Sequence, residues 1–173
     1  MAIDPEKIKL RRLLAAEGYI ELQMADQALQ ELNRIEDSMT HQFEIHLLKG
    51  ESWRIKRAHD RALAEFQQAH QVRQTDLSAL FGMAWCFKRV DQLQQAIETM
   101  KLAYQSHQDV PEVLYNLACY YSLAGEKENA LSWLGRSLRM KRELLKSIAS
   151  ETDFDPLRSD ADFQHLLQLT TND

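Results

Sequence analysis

Turn punctuation is scarce in this chain: 173 residues carry five glycines and three prolines. Cysteine occurs twice, at Cys86 and Cys119, too few for a disulfide scaffold at this length and in keeping with a reducing compartment. The six histidines show neither the one-turn spacing nor the neighbouring carboxylates of a zinc motif, so no metal site is expected. Also missing are a nucleophile motif and a glycine-rich phosphate-cradling loop, so neither an enzyme nor a cofactor is expected. No uncharged apolar run approaches bilayer length, and Met1–Glu6 has no apolar signal region, which gives the expectation of a cytoplasmic protein without a membrane anchor. A formal charge of −5 and a pI near 5.7 disfavour nucleic acid as a general partner, because phosphate binding needs a concentrated cationic surface.

What the chain does have is Ala, Leu, Glu, Gln, Lys and Arg in abundance, the strong helix formers. It also has a period of 34 residues. Ala16, Gly50, Ala84 and Ala118 form one series of small residues, and Ala28, Ala62, Ala96 and Ala130 form another. Tyr19, Trp53, Phe87 and Tyr121 are all aromatic, although aromatics make up only 8% of the chain. Leu32, Phe66, Met100 and Leu134 complete the pattern, and no insertion breaks any series. A small residue followed three positions later by an aromatic puts both on one helix face, and the later Ala-to-Leu step of four forms the stripe of a second helix. Each unit is therefore expected to be an antiparallel helix pair. Gly125 can end the first helix of the fourth unit in the left-handed conformation, whereas Gln23, Arg57 and Asp91 occupy that place in the others and predict non-glycine turns. Asp4-Pro5 reads as a cap with a first-turn proline, and Asp109 as the cap of the helix containing Pro111.

The period, the small residue before an aromatic and the later Ala resemble the tetratricopeptide repeat. The fourth unit, Pro111 through Tyr121 with Gly125, Ala130 and Leu134, carries the resemblance best. Four repeats are expected at 9–42, 43–76, 77–110 and 111–144, followed by a capping segment at 145–173, all in one domain. In that segment Pro156 is expected to stop the preceding helix, Ser159 to cap a last one, and Phe163, Leu166 and Leu167 to cover the final apolar stripe. The resemblance implies an all-α fold, a right-handed superhelical solenoid of antiparallel helix pairs whose first helices line a concave groove.

By similarity to the family, the groove columns hold Leu10, Leu13, Glu17, Ile20 and Glu21, then Glu44, Leu47, Glu51, Arg54 and Ile55, in the first two units. Ser78, Phe81, Trp85, Lys88 and Arg89 follow in the third, and Glu112, Tyr115, Cys119, Ser122 and Leu123 in the fourth. Leu47, Arg54, Phe81, Trp85, Lys88, Arg89, Tyr115 and Cys119 are the candidate contacts for a bound segment. Phe81, Trp85 and Tyr115 could equally pack between helices. The clamp by which some family members hold the carboxylate tail of heat-shock chaperones is not matched: its positions read Leu13, Glu17, Leu48, Ser78 and Gly82, and one unit later Leu47, Glu51, Gly82, Glu112 and Asn116. A carboxylate would meet Glu there instead of charge-assisted donors. On the first helix of the third unit, Phe81, Trp85, Lys88 and Arg89 cluster well away from the core side formed by Leu80, Met83, Ala84 and Phe87. Aromatics beside cations suit a partner that inserts an apolar anchor and offers a carboxylate. The cations Arg136, Arg139, Lys141, Arg142 and Lys146 are read as favouring a helix C-terminus.

The leading expectation is an adaptor that binds a peptide or protein segment. A substrate-holding chaperone, similar to those of secretion systems, and a self-associating structural module are the alternatives. The identity of the partner is not encoded in these patterns, because a repeat scaffold reports only that something is held.

Overall fold

The computed structural model describes residues 4–35 and 39–172. Residues 1–3 of the N-terminal stretch, 36–38 of the first repeat and 173 of the closing segment lie outside them. The described residues contain no strand and form ten α-helices. These are α1 (Pro5–Glu21), α2 (Ala25–Asn33), α3 (Gln42–Ile55), α4 (His59–Val72), α5 (Leu77–Arg89), α6 (Leu93–Ser106), α7 (Pro111–Leu123), α8 (Lys127–Met140), α9 (Leu145–Ile148) and α10 (Ala161–Asn172). Two 3-10 turns, Arg142–Leu144 and Thr152–Leu157, flank α9.

The sequence period reappears in the helix ends. The first helix of each pair stops at Glu21, Ile55, Arg89 or Leu123, and its partner starts at Ala25, His59, Leu93 or Lys127, each 34 residues after the last. The four turns between them share one device: Gln23, Arg57, Asp91 and Gly125 all have φ between 58° and 73°. In three of them the hydrogen bonds of a Schellman cap are in place. Gln23, Arg57 and Gly125 donate their N–H to Ile20, Arg54 and Ser122, and the next residue donates to the carbonyl of Tyr19, Trp53 or Tyr121. The periodic aromatic thus supplies both a packing side chain and the carbonyl that closes its helix.

Helix starts are more varied. Asp4 caps α1 by accepting from the Glu6 N–H at 3.0 Å, with Pro5 in the first turn, as the sequence predicts. Asp76 does the same for α5, accepting from the Ser78 and Ala79 N–H groups at 2.9 and 3.1 Å. Asp109 does not cap α7. Val110 occupies the cap without a side-chain bond, and Pro111, which lacks an N–H and has a helical φ already, leaves less to satisfy.

The chain divides into two compact units, Met1–Asp91 and Gln92–Asp173. In the first, α1 pairs with α2 and α3 with α4, and α3 also adjoins α1 and α5. Leu13, Ala16, Ala28 and Leu32 form one buried cluster, with Tyr19, Ile20, Ile45 and Leu48 packed on it. Phe66 of α4 is fully buried, and its ring lies directly over the backbones of Gly50 in α3 and Gly82 in α5. The other members of its series are Leu32, Met100 and Leu134, facing Ala16, Ala84 and Ala118 in the sequence pattern. The second repeat alone has the larger side chain, and it alone has glycine in the small position. Volume is exchanged between the two helices while the sum is kept.

In the second unit α7 packs on α6 and α8, and its remaining side is covered by the Thr152–Leu157 turn. Phe154 in that turn is fully buried, standing edge-on to Tyr115 at 5.6 Å and 5.6 Å from Phe163 of α10. Arg158 holds the turn closed: it donates to the carbonyls of Ile148 and Glu151 and pairs with Asp155 at 2.6 Å. Pro156 lies inside this turn, several residues beyond the end of α9, so it is not what stops that helix. The cap of α10 is Asp160, not Ser159; its carboxylate accepts from the Asp162 and Phe163 N–H groups. It also pairs with Lys127 at 2.6 Å, tying the start of α10 to the start of α8. Phe163 is buried and Leu166 lies over Gly135, as a cover for the last repeat requires. Two cations of the run have partners: Arg136 lies 4.4 Å from the Trp133 ring centroid on its own helix and bonds the Tyr104 hydroxyl of α6, and Lys141 pairs with Glu112.

Candidate functional site

In the first unit the C-terminal ends of α3 and α5, the turns after α1 and α3 and the start of α4 converge. α3 ends at Ile55 because Arg57 turns the chain into the left-handed region, and α5 ends at Arg89 ahead of Asp91 for the same reason. The result is a recess of about 490 Å³ lined by Gln23, Arg54, Ile55, Arg57, His59, Trp85 and Arg89. Trp85 is its centre. The guanidinium carbons of Arg89 and Arg54 lie 5.0 and 5.6 Å from its ring centroid, within cation–π range, and the His59 ring meets it edge-on at 5.2 Å.

The three arginines differ in their tethers. Arg54 is held by Glu51 through two of its nitrogens, at 2.6 and 2.8 Å. Neither Arg57 nor Arg89 has a carboxylate partner among the described residues, and both are exposed. Beneath this surface Cys86 is fully buried, and burial, reinforced by the nearby Glu51 charge, pushes its thiol up to about 12. It stays protonated at neutral pH and acts as packing, as a small apolar residue would.

Of the candidate residues, Arg54, Trp85 and Arg89 are brought together in the recess. Phe81 and Lys88 lie half-buried on the same stripe of α5, one turn to either side of Trp85. Leu47 is partly buried and packs against Phe43, Ala69 and Ala79, so it contributes to the floor of the α3–α5 seam. Tyr115 and Cys119 are placed differently. Both are buried in the second unit, at 8% and 2% exposure, with Tyr115 edge-on to Phe154. Burial raises the Tyr115 hydroxyl well above its usual range. The acidic groove positions are also partly quenched, since Glu51 serves Arg54 and Glu44 pairs with Arg73 at 2.5 Å.

Arg57, His59 and Gln23 are recess residues that the periodic pattern did not single out. Arg57 and Gln23 read only as non-glycine turn residues, and His59 only as one of six histidines without a zinc motif.

No protein-family model matches the chain. No curated protein matches its sequence. Solved structures do match. A crystal structure of MamA protein superposes with a TM-score of 0.77 over 96% of this chain and 93% of its own, at 15% identity. MamA 41-end from Desulfovibrio magneticus RS-1 gives 0.78 over 95% and 94%, at 11% identity. TTC0263, a thermophilic TPR protein in Thermus thermophilus, gives 0.63 over 98% of this chain and 82% of its own, at 16% identity. Identities this low carry the fold and nothing finer. Together with the 34-residue helix pairs and their repeated left-handed turns, they establish that the chain has the all-α, tetratricopeptide-repeat-like fold.

Proposed function

We propose that this chain is a protein-interaction scaffold that takes a segment of another protein on the face formed by α3 and α5 of its first unit, with Trp85 as the anchor point. The observation that carries the reading is the Trp85 recess: a large aromatic left partly exposed beside three arginines, on a helix, α5, whose opposite side is buried in the core. Trp and Arg in a partly desolvated depression are the residue types that dominate interface energies. The fold supports it too, since the concave face lined by the first helices of stacked pairs is where solenoids bind their partners. A holdase role and self-association are the competing uses of the same face.

Affinity capture followed by calorimetry with the identified partner tests the proposal. Trp85→Ala and Arg89→Glu are expected to weaken binding by roughly 1 to 4 kcal/mol while circular dichroism shows unchanged helix content. Native affinity in both variants would move the site elsewhere. A holdase would instead suppress aggregation of an unfolded client, seen by light scattering, and self-association would appear as concentration-dependent sedimentation.

A further inference from the structure

We infer that the Trp85 recess recognises an acidic segment, one whose carboxylates engage Arg57 and Arg89 while an apolar side chain rests on Trp85; this rests on the interaction reading above and specifies its ligand. The chain as a whole is acidic, with a formal charge of −5, yet the recess gathers Arg54, Arg57 and Arg89 and has no carboxylate among its lining residues. Like charges held together raise the local potential and cost folding energy unless an anion relieves them. Glu51 relieves only Arg54, from outside the lining, and so leaves two guanidiniums with their full set of donors. Each can take a carboxylate in the two-bonded fork that its planar geometry favours. Arg89 rests 5.0 Å from the Trp85 ring centroid, a contact that reduces the rotamer entropy a free surface arginine would lose on binding. Arg57 lines the recess from the turn after α3, where its φ is 58°. The lining is predominantly polar side chains around one aromatic, which suits a mixed acidic and apolar segment better than a purely apolar one.

The arrangement makes a prediction of opposite signs for neighbouring residues. Arg57→Gln and Arg89→Gln each weaken an acidic ligand, by about fivefold. Glu51→Gln strengthens it by about two- to threefold, because it releases Arg54 and removes a repelling charge. The experiment is a titration of the ¹⁵N-labelled full chain with a synthetic peptide of alternating Glu and Leu, beside its Gln/Leu counterpart and a single-stranded oligonucleotide of equal charge. The indole N–H of Trp85, assigned with Trp85→Phe, and the Nε–H signals of Arg57 and Arg89 are followed. The Glu peptide is expected to shift these signals, with an affinity that falls as salt is raised, and the Gln peptide to bind at least tenfold more weakly. Equal binding of the Gln peptide, shifts confined to other residues, tighter binding of the oligonucleotide, or weaker binding in Glu51→Gln each overturns the acidic-ligand assignment. With a captured protein partner the two proposals separate. Loss in Trp85→Ala with none in Arg57→Gln or Arg89→Gln removes the acidic ligand and keeps the docking face, and insensitivity to all three removes both.

Discussion

Replacing Gly50 with alanine should destabilise this protein, although the same change in an unconstrained helix stabilises by about 1 kcal/mol through propensity alone. An added Cβ at Gly50 would lie 2.7 Å from both Cδ1 and Cε1 of Phe66, where carbon atoms in contact normally stand about 3.5 to 4 Å apart. The ring cannot retreat. It is fully buried, and on its other side the backbone of Gly82 is just as close, with an added Cβ there falling 2.6 Å from Cε1. Overpacking of this kind costs about 1 to 3 kcal/mol, so the net effect is a loss of up to about 2 kcal/mol. Phe66→Leu alone should cost about 1 to 2 kcal/mol by opening space. The double variant recreates the Ala and Leu of the first and fourth repeats and should recover much of both losses, a coupling of about 1 kcal/mol or more. Gly18→Ala is the control, because nothing lies within 4 Å of its added Cβ, and it should stabilise by about 0.5 to 1 kcal/mol. Urea denaturation followed by helical ellipticity, with all four variants in one series, measures these terms. Stabilisation by Gly50→Ala to the same degree as Gly18→Ala, or strict additivity in the double variant, would refute the packing argument.

The left-handed turns predict a gain: Gln23→Gly relieves a conformation that costs a side-chain-bearing residue about 1 to 2 kcal/mol, less the chain entropy that glycine adds to the unfolded state. A rise in melting temperature of about 1 to 4 °C is expected, and a fall would show that the turn is not strained. Phe154→Ala should cost about 3 to 5 kcal/mol and uncover Tyr115. Deletion of residues 153–173 should go further and cause aggregation, so a soluble, equally stable truncation would contradict the covering role of the closing segment. The Asp160 carboxyl is held below its ordinary 3.8 by Lys127 and by the backbone N–H groups it caps. Because its folded value is depressed, its contribution is present above the unfolded value and is lost as pH falls through the folded one, from about pH 5 downward. Asp160→Asn keeps a capping acceptor and removes the titration, so its acid denaturation between about pH 5 and 2 should be shallower than that of the parent, and an unchanged profile would count against the pair.

Much of the core could be read in advance because its causes are local and repeated. Ala16, Ala84, Ala118 and the alanines at 28, 62, 96 and 130 are all fully buried, as their period required. The aromatic series was legible as well, though Tyr19 and Trp53 remain half-buried where Phe87 and Tyr121 are covered. The places that resisted were those where one segment meets another distant in sequence. Tyr115 and Cys119 read as groove residues since their positions in the repeat are groove positions; the turn around Phe154, some forty residues later, occupies that side. A clue lay in α7 itself, whose run from Val113 to Ser122 has almost no polar face and therefore called for cover on every side. Asp109 and Ser159 were misread as caps for a smaller reason: capping depends on one residue's backbone conformation, and neighbouring polar residues are indistinguishable until that is known.

The helix pairs, their spacing and the inward side of each helix were set locally, because helical periodicity and the demand for small residues at close contacts act within a few turns. The sequence also marked the four left-handed turns, one by glycine and three by the gap left in the pattern. Which outward positions stayed open depended on how distant segments packed. Trp85 stayed partly exposed beside Arg54 of α3, Arg57 of the following turn, His59 of α4 and Arg89 of its own helix, whereas the equally aromatic Tyr115 was covered. The physical reason is that exposure is a property of everything else that packs nearby: a repeat pattern assigns each residue a direction, and the closing of the chain determines what lies in that direction.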